Sequence, residues 1–248
     1  MLSRYGLIGY PLSHSFSKKY FTDKFRSDSV DAVYELFPLK SMDEFKPLLE
    51  QFTDLKGLNV TIPYKKLVME MLDEISDEAL LINAVNTIKI SHQNNKLHLK
   101  GFNTDAPAFE SELIEFAGIR PSKALVLGTG GASSAVAFVL NKLNWQFKFV
   151  SRHPSTDNTI GYQSIDEELV NQTRLIINTT PVGMYPNLNE SPLIPYHALS
   201  DQNLLFDLVY NPELTDFLRK GQLKGAGIRN GLAMLYKQAA LAWNIWQQ

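Results

Sequence analysis

Residues 124–152 read ALVLGTGGASSAVAFVLNKLNWQFKFVSR, and the reading of this stretch decides the fold. Residues 124–127 are an apolar run too short for a helix and of the right length for a buried parallel strand. Gly128-Thr129-Gly130-Gly131 comes next, where glycines allow a tight turn and let backbone N–H groups approach an anion without a Cβ in the way. Residues 132–143 then place Val136, Val139, Leu140 and Leu143 on one helical face, and 147–150 read as the next strand. The sum is a βαβ unit whose helix N-terminus suits a pyrophosphate. Ser133 stands where the fingerprint has its third glycine, so the meaning of the turn rests on its setting between strand and helix.

The end of the second strand bears on the cofactor. An NAD-binding unit carries an acid there for the ribose 2′-hydroxyl. Here the strand runs into Ser151-Arg152-His153, with no acid before Asp157. An arginine at that place suits a 2′-phosphate, through bidentate charge-assisted bonds and stacking on the adenine. The alternative is an ordinary solvated loop arginine; its position directly after the strand favours NADP over NAD.

Composition narrows the class. At 248 residues the chain has room for one large domain or two modest ones. With 44% hydrophobic and 20% charged residues it reads as a soluble globular protein. A net charge of −2 gives no electrostatic case for nucleic acid or an acidic membrane as partner. The absence of cysteine excludes disulfides and thiol chemistry and fits the cytoplasm without establishing it. The leading segment MLSRYGLIGYPLSHS meets glycine, proline and histidine too early for a signal-peptide core, so a cytoplasmic location is expected. The five histidines show no metal-ligand spacing, and no metal is expected.

Taken in order, 5–8 reads as a first strand that ends at Gly9-Tyr10-Pro11. Ser13, Ser15 and Ser17 precede a helix carrying Tyr20, Phe21 and Phe25; they have a capping reading and a carboxylate-binding reading, and spacing alone favours capping. A second strand is expected at 33–37, and Ser41 with Glu44 reads as a capping box for a helix bearing Phe45, Leu48 and Leu49. Residues 58–62 read as a third strand leading into a helix that starts at Pro63-Tyr64-Lys65-Lys66. A lysine is out of place at the positive end of a helix. Lys66 suits a solvated face and Lys65 is the one to watch, although a surface role fits its position alone better.

Residues 84–90 and 97–102 read as a hairpin, and Gly101-Phe102-Asn103-Thr104-Asp105 opens a helix that Gly118 ends. Thr104 or Asp105 has an N-cap reading there. Beyond Arg152, a short helix from Ser164 with Glu167 as capping box, strands at 175–178 and 204–209, a helix at 213–220, a strand at 225–228 and a helix at 231–246 complete the pattern. Alternating strands and helices give an α/β fold.

Several stretches, in this order, carry a resemblance. They are Gly9-Tyr10-Pro11 with Ser13-His14-Ser15-Phe16-Ser17, Gly57-Leu58-Asn59-Val60-Thr61-Ile62-Pro63-Tyr64-Lys65, Asn83-Ala84-Val85-Asn86-Thr87 and Gly101-Phe102-Asn103-Thr104-Asp105. Next come the Gly128 turn, Asn178-Thr179-Thr180-Pro181-Val182-Gly183-Met184, Asp207-Leu208-Val209-Tyr210-Asn211-Pro212 and Gly231-Leu232-Ala233-Met234-Leu235 with Gln238-Ala239. Over nearly its full length the chain resembles the shikimate dehydrogenase family.

The resemblance implies two domains. An N-terminal α/β substrate domain with a mixed sheet would comprise residues 1–104, joined by the C-terminal helix 231–248, and a Rossmann-like NADP-binding domain would comprise 105–230. It implies NADPH-dependent reduction of 3-dehydroshikimate to shikimate by a monomer or homodimer acting on a small molecule. By motif position, Lys65 and Asp105 would be catalytic. Ser13 and Ser15, with Tyr210 assisting, would bind the substrate carboxylate; Asn59, Thr61, Asn86, Asp105 and Gln238 would meet the ring hydroxyls. Gly128, Thr129, Gly130, Gly131 and Ala132 would cradle the pyrophosphate. Ser151, Arg152, Thr180, Gly183, Met184 and Gly231 would complete the cofactor site, with Gly183 and Met184 near the nicotinamide.

The family has a proline after Ser17 and glycines after Asp105, where this chain has Lys18 and Ala106-Pro107-Ala108. These departures bear on fine specificity. Two other readings are a quinate/shikimate dehydrogenase of broader specificity, against whose NAD-preferring version Arg152 counts, and a non-catalytic NADP sensor, which would need neither Lys65 nor Asp105.

Overall fold

The computed structural model describes residues 2–12, 16–93, 96–154 and 156–248. They form two compact units, one of Met1–Thr104 with Ala239–Gln248 and one of Asp105–Gln238.

In the first unit the chain runs through β1 (Ser3–Gly9), α1 (Phe16–Ser27), β2 (Ala32–Pro38), α2 (Phe45–Gln51), β3 (Leu55–Val60), β4 (Glu74–Ile75), α3 (Asp77–Ile82), β5 (Thr87–Gln93) and β6 (Lys96–Phe102). These strands make one mixed sheet in the order β2-β1-β3-β5-β6-β4. β1 is parallel to β2 and β3, whereas β5 is antiparallel to both β3 and β6. One apolar layer joins Ile8, Leu58, Val60, Val68, Ile88 and Leu99 with the α2 residues Phe45 and Leu48. The second is aromatic: Tyr5, Phe21, Phe25 and Tyr34 close around Ala239, Ala242 and Trp246. Tyr5 stacks on Trp246 at 4.9 Å, and the Trp246 indole donates to the Ile88 carbonyl at 3.0 Å. That bond satisfies the single polar atom of a buried indole and holds the last helix on this sheet.

The second unit contains α4 (Asp105–Ala117), β7 (Lys123–Leu127), α5 (Gly131–Lys142), β8 (Gln146–Ser151), β9 (Thr159–Gly161), α6 (Glu167–Gln172), β10 (Leu175–Asn178), β11 (Leu204–Asp207), α7 (Asp216–Gln222) and β12 (Gly227–Arg229). α8 (Leu232–Gln247) starts here and ends in the first unit. The sheet is parallel throughout, in the order β12-β11-β10-β7-β8-β9. By chain order this is 6-5-4-1-2-3, the doubly wound arrangement, with its reversal between β7 and β10. The central strands are buried on both faces, which is why 124–127 and 175–177 read as unbroken apolar runs. Glu112, 1% exposed on α4, pairs with Arg229 and Lys237 and so ties the start of α8 to this unit.

Local expectations differ from the structure at several places. No α-helix comes directly after β3: Pro63 lies in a turn, and only a 3₁₀ segment, Leu67–Met71, succeeds it. The Lys65 carbonyl is taken by the Val85 N–H at 2.7 Å and the Tyr64 hydroxyl by the Leu39 carbonyl at 2.6 Å, so neighbours outside the segment claim its polar groups. Ser41 donates to Asp43 and Glu44 accepts from the Lys40 N–H, leaving that capping box unformed. Asp166, not Ser164, caps α6, by accepting from the Leu169 N–H. The hairpin strand starts at Thr87 because Asn83 ends α3 in the left-handed region, φ 56°. The two compact units meet along the chain within the last helix, after Gln238.

Candidate active site

In the first unit, the ends of β1, β3 and β6 and the start of β5 share one end of the sheet, a consequence of their pairing directions. Backbone bonds lace these ends together: Thr61 N–H to Ile8 O at 2.9 Å, Tyr10 N–H to Ile62 O at 3.0 Å, Val60 N–H to Asn86 O at 2.8 Å and Asn86 N–H to Phe102 O at 3.0 Å. Segments distant in sequence thus meet. The Asn86 carboxamide accepts from the Thr104 N–H at 2.7 Å and donates to the Thr104 hydroxyl at 2.9 Å, fixing the residue that precedes Asp105. Asn59 is 5% exposed, accepts from the Tyr34 hydroxyl at 2.8 Å and donates toward Thr87 and the Asn86 carbonyl. Both polar atoms of its carboxamide thus have protein partners, as do those of Asn86.

Thr61 and Lys65 are half-buried there, and Lys66 is exposed. Hydrogen-bonding the Lys65 carbonyl to Val85 fixes the backbone from which its side chain leaves. Ser13 and Ser15 lie outside the described residues. Tyr34 was not among the expected residues. Burial raises the pKa of its hydroxyl far above the ordinary value, a bond from Ser17 opposing this, so it stays a neutral donor to Asn59. Its mark in the sequence is a tyrosine on an inward-facing strand position, where a buried hydroxyl needs a partner.

The second unit brings its motifs to the carboxyl ends of its parallel strands, the side on which such sheets bind ligands. Gly128 succeeds β7 with φ +112°, and an added Cβ would lie 2.7 Å from Thr179 Oγ1. Both features require glycine. The Thr179 hydroxyl donates to the Leu127 carbonyl at 2.6 Å, closing the sheet's reversal point over the turn. Thr129 and Gly130 are exposed, and a Cβ on Gly130 would meet nothing within 4 Å, so open space lies over the helix start. Gly131 and Ala132 begin α5, whose N–H groups and dipole favour an anion. Ser133 is 1% exposed and donates to the Gly130 carbonyl at 2.6 Å; a small side chain folded back on the turn does the close packing of the missing third glycine.

At the end of β8, Ser151 Oγ accepts from the His153 N–H at 3.1 Å, a small turn with Arg152 exposed at its middle. Burial raises the pKa of nearby Tyr162, and the Arg152 charge pulls it the other way. Asn178 ends β10 and Asp207 ends β11, and the two are register partners. Thr180 is half-buried, Gly183 buried and Met184 43% exposed. Asp207 was not expected as a site residue. It is fully buried, and burial pushes its carboxyl up to about 6 against the bonds from Thr215, Val209 and Asn178.

Tyr210 is half-buried, and Asp105 is 7% exposed as the first residue of α4. Gln238 donates to the Leu235 carbonyl at 3.1 Å. Gly231 is buried, with its N–H on the Val209 carbonyl at 3.2 Å, and a Cβ there would sit 2.2 Å from the Leu208 carbonyl oxygen. Backbone cannot yield as a side chain does. Gly231→Ala is therefore expected to cost roughly 1–3 kcal/mol. A thermal melt reads this as a fall of roughly 2–4 °C per kcal/mol; an unchanged melting temperature would contradict the close packing. Among the described residues, no group of His, Cys, Asp and Glu is placed to hold a metal ion, and no helix is long and apolar enough to cross a membrane.

Residues 7 to 88 match the family described as the shikimate dehydrogenase substrate binding domain. The chain is 38% identical over 257 aligned residues to a shikimate dehydrogenase (NADP(+)) of Clostridium beijerinckii, covering 98% of this chain and 92% of that one. It is 37% identical to the enzyme of that name from Methanococcus maripaludis, covering 97% and 90%. The crystal structure of shikimate 5-dehydrogenase from Thermus thermophilus, in complex with NADP(H) and shikimate, superposes with a TM-score of 0.83 at 33% identity, covering 98% of this chain and 93% of that one.

Proposed function

The chain belongs to the shikimate dehydrogenase family, and we propose that it catalyses the NADPH-dependent reduction of 3-dehydroshikimate to shikimate. The observation that carries the reading is that the described motif segments leave from one and the same end of their own sheet: Thr61, Lys65, Asn86 and Thr104 in one unit, and Gly128, Arg152, Thr180 and Tyr210 in the other. In this reading residues 1–104 with the C-terminal helix 231–248 bind substrate, and 105–230 bind NADP.

The residues fit that cofactor. A glycine turn with open space above it and a helix start beyond suit the pyrophosphate, and an exposed arginine with no acid beside it suits a 2′-phosphate. Gly128, Thr129, Gly130, Gly131 and Ala132 would hold the former, Ser151 and Arg152 the latter, and Thr180, Gly183, Met184 and Gly231 the nicotinamide end. When bound, NADPH supplies the hydride that reduces the carbonyl carbon.

Reduction of a carbonyl places negative charge on its oxygen, and the protein's task is to meet that charge as it develops. Lys65 donates a proton to the oxygen, and in the reverse direction removes it from the hydroxyl. Asp105 accepts from a ring hydroxyl of the substrate. Ser13, Ser15 and Tyr210 hold the substrate carboxylate; Asn59, Thr61, Asn86 and Gln238 orient the ring. The formal charge of −2 and the absence of cysteine accord with a cytoplasmic enzyme acting on a small molecule.

The test is turnover by the purified chain, with shikimate and NADP in one arm and quinate or NAD in the others. Reduction of NADP by shikimate, well ahead of the other pairs, is the expected result. No turnover with any pair would sink the reading, and preference for NAD would sink its cofactor half.

A further inference from the structure

We propose that Asp207 is a positioning residue: one buried carboxylate couples the loop 179–184 to the loop 208–215, so that both sides of the nicotinamide end are ordered as a unit. The inference rests on the cofactor reading above.

Asp207 Oδ1 accepts from the Asn178 Nδ2 at 3.0 Å and from the Val209 N–H at 3.0 Å, and Oδ2 accepts from the Thr215 hydroxyl at 2.6 Å. The second link passes through Asn178. Its Oδ1 accepts from the Thr180 N–H at 3.1 Å and the Thr180 hydroxyl at 2.6 Å, and its Nδ2 also donates to the Val182 carbonyl at 3.2 Å. Hydrogen bonds therefore run without a break from the cap of α7, through Asp207, to the turn that precedes Gly183 and Met184. On the other side the same carboxylate fixes Val209, next to Tyr210, and Val209 in turn accepts from the Gly231 N–H.

A carboxylate suits this place because every neighbour is a donor. Asn178 must offer its N–H₂ here, since its oxygen is occupied by Thr180. Val209 offers only an N–H. Thr215 Oγ1 already accepts from the Leu218 N–H at 3.3 Å, which leaves its proton for Asp207. An amide or a protonated acid at 207 would bring a donor against these donors and break one arm. Buried polar chains of this kind hold one arrangement when complete and loosen when one link is lost. Loops ordered in advance need no ordering when ligand binds, and the reacting groups gain from that.

The test is Asp207→Asn, which keeps shape and removes an acceptor. Three readouts are hydrogen exchange by residue, binding of adenosine 2′,5′-bisphosphate, and steady-state kinetics with NADPH. The fragment needs Arg152 and not the nicotinamide end, so its binding should stay within twofold of wild type. Exchange should rise about tenfold or more at Thr180, Val182 and Val209 together, with kcat falling about tenfold. Loosening of one loop alone, an unchanged kcat, or loss of fragment binding in equal measure would overturn the proposal.

Thr215→Val provides a second path, since Thr215 meets the carboxylate from the α7 side. It should loosen Thr180 and Val182, and Thr215→Ser should restore them; no effect at that distance would overturn the coupling. Should the wild-type chain itself fail to bind the fragment, the cofactor reading falls. The exchange result still judges the bridge.

Discussion

Lys65→Ala is expected to lower turnover by roughly 10²–10⁴-fold, the usual worth of general acid–base assistance, while NADPH binding stays close to wild type. The two effects separate because Lys65 belongs to the substrate unit and the proposed cofactor contacts to the other. In the proposed role, loss of the ammonium removes both the proton and the positive charge that would meet the oxygen in the transition state, and leaves ground-state cofactor contacts untouched. Lys65→Arg divides the two contributions: a guanidinium keeps the charge but does not give up a proton in this pH range. It should remain slow. Stopped mixing with NADPH and 3-dehydroshikimate, beside a fluorescence titration with NADPH alone, checks both halves. If Lys65→Ala kept most of its activity, the assignment of Lys65 would be wrong; the neighbouring Lys66→Ala, on an exposed position, serves as control.

Arg152→Asp should reverse the cofactor preference. Hydrogen bonds to charged groups are worth roughly 1.5–3 kcal/mol, so loss of the phosphate contact predicts an NADPH affinity lower by roughly 10–100-fold. The introduced carboxylate adds repulsion toward a 2′-phosphate and offers an acceptor to a free 2′-hydroxyl, as NAD-binding units do. NADH binding should therefore hold or improve. Because Arg152 is exposed, the wild-type preference should shrink as salt rises. Equal losses for NADPH and NADH would remove the 2′-phosphate role.

The two lysines after Pro63 show where reading from sequence stops. Lys65 and Lys66 are adjacent and chemically alike, and local spacing assigns both to a surface. What separates them is a hydrogen bond from Val85 to the Lys65 carbonyl, made by a segment 20 residues away; with it Lys65 is half-buried and Lys66 exposed. The capping boxes failed for a local reason. Ser41 gave its hydroxyl proton to the Asp43 carboxylate, and Asp166 took the capping role that Ser164 could have served, because side-chain polar groups find competing partners over short distances.

By itself the sequence determined the α/β class, the Gly128 turn between strand and helix, and the lack of an acid beside Arg152. Each depends on periodicity or on neighbours within a few residues, which the chain carries without folding. Only the tertiary structure decided the strand order with its reversal between β7 and β10, the seating of Trp246 on the first sheet, and the buried links of Tyr34 to Asn59 and Asp207 to Asn178. Those links join residues 25 and 29 positions apart, and a buried polar group finds its partner only when the strands carrying both have paired.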